Sequence, residues 1–179
     1  MNRMQLEHLI RAASDVADDD EVVVIGSQAV LGQFPDAPSE LLVSAEADMY
    51  PFHHPERGDI IDGSIGEGSP FHDAYGYYAQ GVAPSTAVLP EGWEHRMIPL
   101  RNENTRGATG WCIEIHDLVV SKLVAGREKD LAFARAAVKH GLAREDILLE
   151  RAQTLPLSGE VRHLVLDRIR GAARPGGVT

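Results

Sequence analysis

Two carboxylates one residue apart, Glu46 and Asp48, sit in LLVSAEADMY (residues 41–50), a stretch whose alternation reads as a β-strand. Successive strand side chains point to opposite faces. Val43, Ala45, Ala47 and Met49 therefore face one way, and Ser44, Glu46, Asp48 and Tyr50 the other. Same-face neighbours lie roughly 6.5–7 Å apart along the backbone, so two flexible carboxylates can converge on one cation. A hard ion such as Mg²⁺ takes one or two protein carboxylates and completes its octahedron with water and phosphate oxygens. The alternative is a solvated outer face, where acidic residues are common. The preceding VVVIGS (22–27) shifts the balance toward the cation. Its apolar run reads as a buried strand, and SQAVLG (27–32) reads as a helix opening directly after it. The backbone N–H groups of the Gly26–Ser27 turn then suit an anion such as phosphate, and Gly26 lets the backbone approach a ligand closely. Donors for phosphate followed by paired acids are what a magnesium–nucleoside triphosphate requires.

A second set of charges lies in DLVVSKLVAGREKDLAFARAAVKHG (117–141). The pattern predicts one long helix, with Asp117 as N-cap and Gly141 as its stop. On a helical wheel Val119, Val120, Leu123, Val124, Leu131 and Ala134 make an apolar arc. Arg127 and Asp130 fall near its middle, and Lys122 and Lys129 on its edge. One reading is a structural ion pair that locks the helix in place. The other has Arg127, with Lys122 or Lys129, lining a cleft and facing phosphates. Gly126 beside them opens room for another backbone or a ligand.

These residues need elements to carry them. Residues 3–16 read as an amphipathic helix through Leu6, Leu9 and Ile10. The glycine-rich 51–76 reads mostly as loop, with a short helix near 55–63. YYAQGV (77–82), HRMIPL (95–100) and TGWCIEI (109–115) read as strands, and 143–153 and 158–170 as helices. The chain is thus mixed α and β first and helical afterwards. We expect an α/β core over 1–116, a helical region over 117–171 packed on it, and a disordered tail over 172–179. A net charge of −10 argues against non-specific nucleic-acid binding. The single cysteine, Cys112, permits neither an internal disulfide nor a cysteine-rich zinc site. No segment approaches the ~20 apolar residues of a membrane span, so a soluble, cytoplasmic protein is expected. His53–His54 and His72–Asp73 lack a zinc-ligand spacing and read as loop histidines, and no Walker or dinucleotide fingerprint is present.

Together, IGSQAVLG followed by SAEADMY resembles the nucleotidyltransferase signature: Gly-Ser at a helix start, then two acids one residue apart on the next strand. DLVVSKLVAGREKD resembles a segment of bacterial nucleotidyltransferase-like proteins, some of which act in toxin–antitoxin and abortive-infection systems. The resemblance spans about residues 20–140. It implies an α+β fold, a small mixed sheet flanked by helices with a C-terminal helical region. It also implies Mg²⁺ held by Glu46 and Asp48 and triphosphate at Gly26–Ser27, with Lys122, Arg127, Lys129 and Asp130 binding phosphates or fixing their helix. The reaction implied is transfer of a nucleoside monophosphate to an acceptor hydroxyl on RNA, a protein or a small molecule. A protein partner or a homodimer stays open. Three departures stand out: the first acid is more usually Asp than Glu, the spacing from Ser27 to Glu46 is longer than typical, and a third carboxylate usually follows on a later strand. Here that strand offers Gln80, which cannot act as a base. Asp62, Glu67 and Asp73 are the acids nearby in sequence. A catalytically weak nucleotide-binding or partner-binding module is the alternative.

Overall fold

The computed structural model describes residues 1–174. It forms two units, residues 1–87 with 94–114, and residues 88–93 with those from Ile115 onward. The fold is α+β, with a mixed sheet flanked by helices in the first unit and helices in the second.

The first unit opens with α1 (Arg3–Ala17). Asn2 accepts from Gln5 N at 3.0 Å while the Gln5 side chain accepts from Asn2 N at 2.8 Å, a reciprocal cap. Leu6, Leu9, Ile10 and Ala13 are fully buried. β1 (Glu21–Val24) is the centre of a five-stranded sheet. It pairs antiparallel with β2 (Glu46–Pro51) and parallel with β5 (Thr109–Cys112). β3 (Tyr78–Gly81) runs parallel to β2, and β4 (Ile98–Leu100) antiparallel to β5. The order is β3-β2-β1-β5-β4. Val22, Val23 and Val24 are buried on both faces, which explains their unbroken apolar run. α1 lies so close to β5 that a Cβ on Gly110 would sit 2.4 Å from Ile10 Cδ1.

Three local readings of the first unit need correction. The 41–50 strand begins only at Glu46, because Pro38 starts a 3₁₀ turn over Ser39–Leu41 and Val43 is 84% exposed. The expected helix 27–32 is a 3₁₀ turn, Ser27–Ala29, followed by the single-turn α2 (Val30–Gln33). The glycine-rich segment holds α3 (Gly58–Ile65), as expected near 55–63, and also α4 (Pro70–Tyr75). Ser69 caps α4 by accepting from His72 N at 3.2 Å, and Pro70 suits its first turn.

In the second unit the predicted long helix is two. α5 (Ile115–Ala125) ends at Gly126, whose φ of +67° is left-handed, and α6 (Glu128–Lys139) starts after Arg127. Glycine is needed here twice over. It takes the positive φ without strain, and a Cβ would lie 2.2 Å from Arg168 Nη1. That guanidinium donates to Leu123 O at 2.6 Å and Val124 O at 3.2 Å, closing the end of α5. Asp117 is not an N-cap. It lies in the first turn of α5, fully buried, with Arg151 Nη1 4.0 Å away. α7 (Glu145–Gln153) and α8 (Gly159–Ala173) follow. α8 extends into the expected tail, and residues 175–179 lie outside the described residues. Residues 88–93 go with the helices, where Glu91 N donates to Thr154 O at 3.2 Å.

Candidate metal–nucleotide site

The pairing of β1 with β2 brings Asp48 to the end of β1. Val24 is the partner of Met49, and Ile25 N donates to Asp48 O at 3.0 Å. Gly26 then passes so close that a Cβ on it would lie 1.9 Å from Asp48 Oδ2. Its φ of −82° is open to any residue, so glycine is there for space and not for conformation. Glu46 and Asp48 are half-buried on one face while Ala47 and Met49 are fully buried on the other, the alternation expected within β2. Gly26, Asp48 and, along the same face, Glu46 thus come together.

β3 completes this edge. Tyr78 is the register partner of Glu46, and its hydroxyl donates to Glu46 Oε2 at 3.1 Å. Gln80 is the register partner of Asp48 and is exposed. Gln80, the residue that the resemblance puts on the third-acid strand, is therefore beside the acidic pair, and it is an amide. The sequence places Tyr78 on a strand, YYAQGV, and does not show this hydrogen bond. The signal was the shared parity of Glu46 and Tyr78, visible only once the β2–β3 register is known.

At Ser27 the structure gives a tight turn and a short helix, so little macrodipole aids an anion. Gln28 in this turn is fully buried, its Nε2 3.4 Å from Ser27 Oγ and its Oε1 without a hydrogen-bond partner. A buried orphan acceptor is costly unless a ligand or water meets it. The half-buried carboxylates of Glu46 and Asp48, on one face of β2, are oxygen ligands of the kind a hard cation takes.

The cationic residues read from the sequence lie in the second unit. Asp130, 1% exposed, accepts from Arg127 Nε at 2.6 Å and Arg127 N at 3.3 Å, with Lys122 Nζ 3.5 Å away. Burial pushes its carboxyl up, but the Arg127 hydrogen bond and the charges of Lys122 and Arg127 outweigh this and hold it below the usual range. Lys122 also stands 5.7 Å from the centre of the Phe133 ring. Lys129 is exposed. Because Arg127 is outside a helix, its place on the apolar arc of the wheel is an artefact of assuming one continuous helix.

At the opposite end of β1, Asp19, Asp20 and His53 bring one potential ligand atom each within 4.8 Å of one another. A cleft of about 500 Å³ opens there, also lined by Asp15, Asp18 and His54. The Asp19 oxygens are already engaged, accepting from Glu21 N at 3.1 Å, His53 N at 2.8 Å and His54 N at 3.1 Å, with His53 Nδ1 at 2.9 Å. This is a clamp on the turn after β2. The Asp19 hydrogen bond raises the His53 pKa above its usual value against a small burial effect, with the charges of Asp19, Glu21 and Asp20 adding to it. Burial pushes the Asp19 carboxyl up, but the hydrogen bonds from His53, Glu21 and His54 hold it below the usual range. The stability from protonated His53 is therefore complete below about pH 6.5 and fades as pH rises through its raised value. That from ionised Asp19 is present above about pH 4 and fades as pH falls through its lowered value. The melting temperature of the wild type should fall more between pH 6 and 8 than that of His53→Ala. Parallel pH curves for the two would remove the clamp from the account.

The central strand β1 thus leads through Ile25 into the Gly26–Ser27 turn, beside a strand with two half-buried acids, in a mixed sheet flanked by helices. The chain belongs to the family described as nucleotidyltransferases of unknown function (DUF6036), which it matches over residues 4–140. No curated protein and no solved structure matches the chain. Nucleotidyltransferases as a class use divalent metal ions and a nucleotide substrate. No helix among the described residues is long and apolar enough to cross a membrane.

Proposed function

We propose that this protein binds a magnesium–nucleoside triphosphate at the Gly26–Asp48 edge and transfers its nucleoside monophosphate to an acceptor hydroxyl. The observation that supports it most is the fit of the Asp48 carboxylate into the space a side chain at position 26 would fill. Glu46 and Asp48 would hold Mg²⁺, and the Gly26–Ser27 turn the phosphates. Bound there, the ion would supply charge neutralisation for attacking and leaving oxygens. The acceptor oxygen would form its bond to the α-phosphorus as the bond to pyrophosphate breaks, the hydroxyl proton passing to a base. In the second unit Lys122, Arg127 and Asp130 serve an ion pair, and phosphate binding by Arg127 or Lys129 is what the resemblance implies.

One observation favours a second reading. Gln80 at the register of Asp48 leaves that strand position without a base, as in a nucleotide-binding or partner-binding module that catalyses weakly. Of the three acids considered in its place, Glu67 is the one whose charge is felt at Tyr78.

Thermal unfolding with Mg²⁺ and each nucleoside triphosphate tests the site. A ligand at 100 times its dissociation constant adds about 2.7 kcal/mol, a rise of roughly 5–11 °C for a chain of this size. We expect a magnesium-dependent rise in the wild type and none in Asp48→Asn. No rise with any nucleotide at millimolar concentration removes the transferase and the nucleotide-binding readings and leaves only partner binding. A rise without pyrophosphate release for any acceptor class selects the second.

A further inference from the structure

We propose that Tyr78 is the positioning residue of the acidic pair: from β3 its phenol holds Glu46 where Glu46 and Asp48 can share one divalent cation. This inference rests on the metal–nucleotide reading and deepens it. Glutamate stands where the family more usually has aspartate, and its longer arm has one more rotatable bond to order before it can ligate. A hydrogen bond to one of its oxygens removes that freedom in advance. Tyr78 supplies the bond at 3.1 Å from the position in register with Glu46.

The tyrosine is itself held. Its backbone N–H donates to Ala45 O at 3.1 Å, just before β2. Its ring lies against His72, with centres 4.6 Å apart. His72 Nδ1 in turn accepts from Gly68 N at 3.0 Å, so the turn between α3 and α4 clamps the ring from outside. The pair has one hydrogen-bond donor: a tyrosine hydroxyl gives its proton to a carboxylate oxygen. One oxygen of Glu46 takes the phenol, leaving the other for the cation.

The test is Mn²⁺ binding, followed by electron paramagnetic resonance with the metal alone. The set is wild type, Asp48→Asn, Tyr78→Phe, Glu46→Asp, and Glu46→Asp with Tyr78→Phe. Phenylalanine keeps the ring against His72 and removes only the donor. We expect Tyr78→Phe to weaken Mn²⁺ binding on the order of 10-fold. In the Glu46→Asp background, where the shorter acid falls short of the phenol, the same change should do nothing. Such non-additivity is the mark of one residue acting through another. If wild type binds Mn²⁺ and Asp48→Asn loses it while Tyr78→Phe binds as wild type does, the role of Tyr78 is overturned and the site stands. An equal loss in both backgrounds also overturns it, since the effect would not pass through Glu46. If wild type itself binds no Mn²⁺, the site and the inference fall together.

Discussion

Gly26→Ala should abolish magnesium-dependent nucleotide binding while leaving the fold nearly as stable as before. The backbone at position 26, φ −82° and ψ −174°, accepts alanine without strain. The new methyl would arrive 1.9 Å from Asp48 Oδ2 and 2.8 Å from its Cγ, so the carboxylate must withdraw by roughly 1.5 Å to reach an ordinary contact. The carboxylate is the far end of a half-buried side chain and can move, while Asp48 Cβ, 3.0 Å from the new methyl, must give by a few tenths of an ångström. The cost of that movement, about 1 kcal/mol, is offset by the stiffer unfolded chain that alanine brings, about 0.4–1 kcal/mol. For the site the same displacement is large. Misplacing a reacting or ligating group by about 1 Å can cost 10²-fold. We expect the apo melting temperature to change little and the thermal shift with Mg²⁺ and nucleotide to vanish. A variant that keeps the wild-type shift would show that Asp48 is not needed where it stands, and the acidic strand would revert to a solvated face.

Much of the candidate site is legible in the sequence. Period-two alternation put Glu46 and Asp48 on one face, and the bounded apolar run Val22–Val24 marked the central strand, because both follow from local backbone geometry. The approach of Gly26 to Asp48 and the bond from Tyr78 to Glu46 were not legible. Each depends on strand register, and a one-residue slip would reverse which side chains share a face. The helical half failed at a single residue. From Asp117 to His140 the apolar spacing runs almost unbroken, so a wheel drawn through Gly126 is self-consistent. Nothing nearby in sequence announces that Arg168 of α8 occupies the space over that glycine and caps α5. The break is dictated by a partner some forty residues away, which local periodicity cannot see. The start of β2 failed for a similar reason. Residues 42–45 alternate well enough, but the Met1 nitrogen donates to the Leu42 and Ser44 carbonyls at 2.9 and 3.1 Å, so those groups are not offered to a neighbouring strand.

That break also changes what the charges around it do, and Asp130→Ala is where the effect should be largest for stability. Asp130 stands three residues into the Arg127–Asp130 turn that starts α6, accepting from both the backbone and the side chain of Arg127. Its other neighbour, Lys122, has a side chain only 15% exposed. Removing the carboxylate takes away an N-terminal cap and leaves a poorly solvated ammonium without its counter-charge. Breaking such a buried pair typically costs about 3–5 kcal/mol, and roughly 6–20 °C in melting temperature for a chain of this length. Arg127→Ala should cost less, since Asp130 keeps Lys122 and the backbone N–H of residue 127 as partners. The contrast separates two roles that the sequence left entangled. If Arg127 serves only the ion pair, Arg127→Ala lowers the melting temperature slightly and keeps the full shift with Mg²⁺ and nucleotide. If it meets phosphate, the shift shrinks with little loss of apo stability, a pattern that weakening of the fold alone does not produce. A small effect of Asp130→Ala, below about 1 kcal/mol, would mean that Lys122 finds water as readily as it found the carboxylate. The pair would then not be what holds the start of α6.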